Sequence, residues 1–214
     1  MRSKFKRLVA LVALVAVVAA SGGAYAADQQ IDVYENKKLV KSVVFAIGVD
    51  QYFVNGQMPG IKMDARAFIE NDRTYVPVRY LGYALGLTEK DITWESSVQR
   101  VTMRGPVNTI EMAVGSKAIV TMPTNKVLNN TLEIADRKLK IIDVAPLLKA
   151  EPAWRTYLPA RYVAEGLGYE VAWDEASQTV ICWPKGEPRP DVTAVQEYVK
   201  QVRAGEAQAV QPPA

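Results

Sequence analysis

The chain has 214 residues, 49% of them hydrophobic and 23% charged, with 13 Gly and 12 Pro. These proportions describe a foldable globular protein and exclude a disordered, collagenous or polytopic membrane chain. There are 26 Lys and Arg against 23 Asp and Glu, one Cys and no His, so no Ser-His-Asp or Cys-His nucleophile and no imidazole-bound metal can be assembled.

Residues 1–26 read as a secretory signal peptide. Arg2, Lys4, Lys6 and Arg7 form a basic start, and Leu8 to Ala20 an uncharged run. Ser21-Gly22-Gly23 breaks the helix, and Ala24-Tyr25-Ala26 is the small-x-small pattern that precedes cleavage between Ala26 and Ala27. The 13-residue apolar run falls short of the roughly 18 residues a bilayer span needs, and no Cys follows it directly for lipid attachment. The expectation is a secreted protein, or one on the extracellular face of the cell envelope, that meets a membrane only during export. Removing the four basic residues of this segment from the 26 leaves 22 against 23 acidic ones. A chain so near neutrality offers no electrostatic footprint for nucleic acid. Cys182 has no partner for an intramolecular disulfide, so the fold must rest on burial.

Residues 27–42 form a lead-in, and beyond them the chain repeats itself. Arg73-Thr74-Tyr75-Val76-Pro77-Val78-Arg79-Tyr80 recurs as Arg155-Thr156-Tyr157-Leu158-Pro159-Ala160-Arg161-Tyr162, 82 positions later. Leu85-Gly86 recurs as Leu167-Gly168 in the same register. Three residues then drop out, and Trp94-Glu95, Gln99 and Val101 match Trp173-Asp174, Gln178 and Val180 at an offset of 79. The chain therefore carries two copies of one unit, residues 43–103 and 110–183.

In each copy Arg-Thr-Tyr-Val/Leu predicts a short strand, and Pro77 and Pro159 suit the first turn of a helix. Val78, Leu81 and Leu85, like Ala160, Val163 and Leu167, give that helix one buried face. Gly86 and Gly168 are its expected stops. Hairpins are predicted after each helix, from Ile92-Trp94 to Val101-Met103 and from Val171-Trp173 to Val180-Cys182. Others are predicted before the helices: Val44–Ile47 with Tyr52–Val54, closed by Asn55-Gly56, and Ile110–Val114 with Ala118–Val120. The fold class is α+β: two tandem, mostly antiparallel β units, each with one short helix packed on the sheet. Residues 184–214 read as a Pro-rich linker, a short helix over Val192 to Arg203, and a tail without order from about Gly205.

The paired motif resembles the copper amine oxidase-like N-terminal domain, or stalk domain, of exported bacterial proteins. Copy two carries it most fully, from Tyr157 to Gly168 and from Val171 to Asp174, and the resemblance spans residues 43–183. It implies a non-catalytic α+β module joined to varied catalytic or envelope-binding partners, with no copper chemistry despite the name. The absence of His agrees with that. Copy one departs from the family pattern at Gly82-Tyr83, where Ala-Glu is usual and stands in copy two as Ala164-Glu165.

No residue is assigned a catalytic, cofactor-binding or metal-binding role. Cys182 aligns with Met103 and is expected to be a buried structural thiol. Arg161 is expected to pair with Glu165 one turn on. The repeated aromatics Tyr75, Tyr80, Trp94, Tyr157, Tyr162 and Trp173 are expected in the core, whereas the unrepeated Tyr83 and Trp154 are the surface-binding candidates. The expected role is a secreted, non-catalytic cell-envelope binding or spacer module, with cell-wall polysaccharide, peptidoglycan or another exported protein as partner. The alternatives are a protein-interaction or self-assembly module acting through an open strand edge and, third, a carboxylate-dependent hydrolase.

Overall fold

In the computed structural model, residues 34–35, 38–150 and 154–209 are described. The expected signal segment and its Ala26–Ala27 cleavage point lie outside these residues. Strands β1 (Tyr34–Glu35) and β2 (Lys38–Leu39) pair with each other ahead of the first copy. Copy one runs β3 (Val43–Ala46), β4 (Gln51–Val54), β5 (Ile61–Lys62), β6 (Phe68–Glu70), β7 (Arg73–Pro77), α1 (Val78–Ala84), β8 (Ile92–Glu95) and β9 (Arg100–Arg104). Copy two follows the same order. Its strands are β10 (Asn108–Ala113), β11 (Ala118–Pro123), β12 (Lys138–Ile141), β13 (Leu147–Lys149), β14 (Arg155–Pro159), β15 (Tyr169–Asp174) and β16 (Thr179–Pro184). Helix α2 (Thr124–Leu128) is inserted after β11, and α3 (Ala160–Gly166) is the counterpart of α1. A final helix, α4 (Thr193–Ala209), follows.

Strand exchange between the copies organises the fold. Only Gly105-Pro106-Val107 separates β9 from β10, so these strands close as a hairpin, with Arg104 opposite Thr109. β10 thereby occupies the side of β9 that β3 would otherwise take, and β3 pairs instead with β16, the last strand of copy two. The result is two mixed five-stranded antiparallel sheets, β15-β16-β3-β4-β5 and β12-β11-β10-β9-β8. A third sheet, β13-β14-β7-β6, joins the copies at its centre. There Val76 lies opposite Leu158, its own counterpart, with Tyr75 opposite Pro159 and Pro77 opposite Tyr157. A pseudo-two-fold axis therefore passes between Val76 and Leu158, both fully buried.

Each short helix lies against one shared core that draws on both copies, including Phe45, Leu81, Met103, Ile110, Leu158, Val163 and Cys182. Pro77 and Pro159 end the preceding strands and stand at the N-cap rather than inside the first turn. α1 ends as expected. Gly86, at φ +84°, donates to Tyr83 O at 3.0 Å, and Leu87 N–H reaches back to Gly82 O at 2.9 Å, the double bond of a Schellman stop. Asn55-Gly56 does not close the first hairpin, because β3 turns into β4 through Ile47 to Asp50. Asn55 sits beyond β4, where its Oδ1 accepts the N–H of Lys41 (2.6 Å) and of Ser42 (3.2 Å).

The change at Gly82 has a steric cause. A Cβ there would collide with Ile92 Cδ1 and lie 2.9 Å from Met103 Cε. Copy two has Ala164 at the equivalent position, and smaller Val171 and Cys182 in place of Ile92 and Met103. Gly166 shows the converse. Its Cβ would meet Ile110 Cγ2 at 2.9 Å, while copy one has Ala84 with the smaller Val43. At each site the glycine stands opposite the bulkier sheet residues, so volume has moved between helix and sheet. Gly82→Ala and Ile92→Val should therefore couple favourably by at least about 0.5 kcal/mol in a urea double-mutant cycle; strict additivity would contradict the exchange.

The two five-stranded sheets differ on their outer faces. Across the first, Phe53, Val44 and Ile181 stand in one row, with Trp183 beside them, and all four lie under Val192, Val195 and Val199. The same row in the second sheet reads Val120, Glu111 and Thr102, with Arg104 in the place of Trp183. α4 covers the apolar face. Gln196 Nε2 donates to Ser177 Oγ at 3.0 Å, and Arg203 donates to Ser177 O at 2.7 Å and Ile47 O at 2.8 Å. The helix continues to Ala209, correcting the expectation that order is lost from about Gly205. Among the described residues no helix is long and apolar enough to cross a membrane.

Candidate functional site

β7 and β14 begin with matched arginines, and each reaches into the other copy. Arg155 holds the Asp64 carboxylate, with Nε 3.4 Å from Oδ1 and Nη2 bonded more closely to Oδ2. Arg73 grips Asp143 through its own Nη2. Each aspartate also meets a tyrosine of its own copy. The Asp64 N–H donates to the Tyr80 hydroxyl at 3.1 Å, and the Tyr162 hydroxyl donates to Asp143 Oδ1 at 2.7 Å. These are two pseudo-symmetric clasps across the copy boundary.

The Arg155 guanidinium holds the Asp64 carboxyl below the usual carboxylate range, and the Tyr162 hydroxyl, joined by Arg73, does the same for Asp143. A carboxyl depressed in the folded state stabilises fully above the ordinary carboxylate value and loses that effect as pH falls through the folded value. Stability should therefore drop more steeply below about pH 4 in the wild type than in an Asp64→Asn/Asp143→Asn variant. Urea midpoints measured from about pH 5 down to about pH 2 check this, and equal slopes would contradict it. Both pairs are well exposed to solvent, so their main effect is register rather than energy.

Two grooves flank the clasps, related by the same pseudo-two-fold. The first, about 440 Å³, is lined by Asp64, Pro77 to Tyr80 and Ile92 to Trp94 of copy one, and by Leu148 and Trp154 to Thr156 of copy two. The second, about 430 Å³, is lined by Arg161, Trp173 and Glu175 of copy two, and by Ile69 and Asp72 to Thr74 of copy one. Neither exists within a single copy. The first presents two indoles, Trp94 at 45% and Trp154 at 69% exposure, with Arg79 at the side.

Of the two surface candidates, Trp154 lines this groove, while Tyr83 is half-buried on α1 and lines neither groove. The repeated aromatics divide. Tyr75 and Tyr157 are buried, and burial raises both hydroxyls above their usual pKa. Tyr80, Tyr162 and Trp173 are half-buried. Trp94, on β8, is not a core residue but an exposed one, whereas its counterpart Trp173 on β15 packs against the core. Arg161 does not take Glu165, which reaches Lys140 at 3.4 Å instead.

Cys182 is fully buried, and burial pushes its thiol up to about 12, so it stays protonated at neutral pH and offers no nucleophile. The residues present do not fit copper. The chain has no His, and among the described residues no three His, Cys, Asp or Glu side chains converge as a metal site. The N-terminal domain of copper amine oxidases is itself a non-catalytic domain.

No curated protein and no solved structure matches the chain. The family model for the copper amine oxidase N-terminal domain matches it over residues 9–90 and again over residues 53–182. With most of its length covered and the duplicated α+β architecture in place, the chain belongs to the copper amine oxidase N-terminal domain family.

Proposed function

We propose that this chain is an exported, non-catalytic module of the cell envelope that binds a wall polysaccharide in the Trp94–Trp154 groove. The observation that carries this reading is the pair of exposed indoles lining one groove. A flat indole face suits the C–H face of a pyranose ring, and a rigid aromatic pays little side-chain entropy on binding. Arg79 beside the indoles suits an acidic substituent. The basic start and apolar run of residues 1–20 support export.

Co-sedimentation of the full chain, produced with its own leader, with purified cell-wall sacculi tests the reading. Saturable pelleting is expected, weakened at least about tenfold by Trp94→Ala/Trp154→Ala and unchanged by Leu128→Ala, a distant exposed aliphatic. Absent pelleting, or equal pelleting of all three proteins, overturns it.

A second reading, docking of a partner strand, has one observation in its favour. β12 is an edge strand that exposes Leu139 and Ile141. Lys138 and Lys140 on the same strand oppose edge pairing, so wall binding is preferred.

A further inference from the structure

The pseudo-two-fold that relates the clasps also relates the grooves, and their chemistry has diverged in one direction. Trp173 is the counterpart of Trp94, Arg161 of Arg79, and Arg73 of Arg155. Asp72, however, stands at the position of Trp154, each immediately before the matched strand. Glu175 replaces Ser96 in the turn after the tryptophan, and its carboxylate accepts the Trp173 Nε1–H at 2.5 Å. Because Arg155–Asp64 and Arg73–Asp143 each neutralise themselves, Arg79 leaves the first groove with one positive charge. Asp72 and Glu175 against Arg161 leave the second with one negative charge. The two grooves have nearly equal volumes, about 440 and 430 Å³, but opposite sign.

We propose that the Trp173 groove is a second saccharide site, selective for a pyranose that carries a protonated amine. The ring lies against the indole, the ammonium is drawn to Asp72 and Glu175, and the indole face adds a cation–π attraction. This rests on the wall-binding reading of the first groove and extends it: one module grips two differently substituted sugars of the same polymer, so binding to polymer exceeds binding to either sugar alone.

Titration calorimetry of the full chain with a glucosamine tetramer, and separately with an N-acetylglucosamine tetramer, tests the site. The glucosamine tetramer should bind, and should weaken at least about tenfold on Trp173→Ala and on Asp72→Asn/Glu175→Gln. It should weaken less on Trp94→Ala/Trp154→Ala than on Trp173→Ala, and not at all on Leu128→Ala. The Asp72 and Glu175 changes guard against misfolding. Asn tolerates the left-handed backbone at residue 72 (φ +56°), and Gln still accepts the indole N–H. Equal affinity for the two tetramers, no binding of the glucosamine tetramer, or an effect of Trp94→Ala/Trp154→Ala equal to that of Trp173→Ala each overturns the second site. If sacculi pellet normally with the Asp72→Asn/Glu175→Gln variant while Trp94→Ala/Trp154→Ala abolishes pelleting, the first groove stands and only the second site fails.

Discussion

Replacing Val199 by Asp is expected to release α4 and leave the protein prone to association. Val199 is fully buried against a sheet face that carries Val44, Phe53, Ile181 and Trp183. An unpaired carboxylate there costs at least about 3 kcal/mol, a large share of the 5–15 kcal/mol total stability usual for a domain. Once α4 is displaced, that apolar face meets water and becomes an aggregation surface. Light scattering and dye binding should both rise with concentration. Glu197→Ala, on the exposed side of the same helix, should stay within about 0.5 kcal/mol of the wild type. A soluble, monomeric Val199→Asp protein with an unchanged melting curve would contradict this account of α4.

Leu158→Ala is expected to destabilise the entire chain by about 2–5 kcal/mol, the usual range for a buried leucine. Leu158 lies on the pseudo-two-fold opposite Val76, in the one sheet where the copies meet head on. Every sheet of the two repeats mixes strands of both copies, so the loss should be shared. Thermal unfolding should shift downward as a single transition. A split into two transitions, one unshifted, would mean that the copies unfold separately.

Helices α1 and α3 and the last hairpin of each copy were legible because their signals are local. Leu85-Gly86 and Leu167-Gly168 end α1 and α3, and alternation from Ile92 to Met103 and from Val171 to Cys182 marks the last hairpin of each copy. Strand exchange was not legible from hydrophobic pattern, because equivalent strands of two copies present the same faces to any partner. The pointer was the link Gly105-Pro106-Val107, too short for anything but a hairpin between β9 and β10. The site for α4 had a signal too: Val43-Val44-Phe45-Ala46 is apolar throughout, whereas its counterpart Ile110-Glu111-Met112-Ala113 alternates. A strand without alternation is covered on both faces. In the first groove, Trp154 stood out because it is unrepeated. Trp94 did not, since repetition suggests core, and the two copies of this tryptophan differ in burial although both stand on edge strands.

The two copies form one interlocked domain, and cutting the chain between them should therefore leave neither part able to fold alone. Residues 1–105 and 106–214, produced separately, should not give a folded monomer, since each lacks the strands that complete its sheets. Mixing them should restore one cooperative melting transition by circular dichroism. A fragment that melts cooperatively as a monomer on its own would contradict the claim.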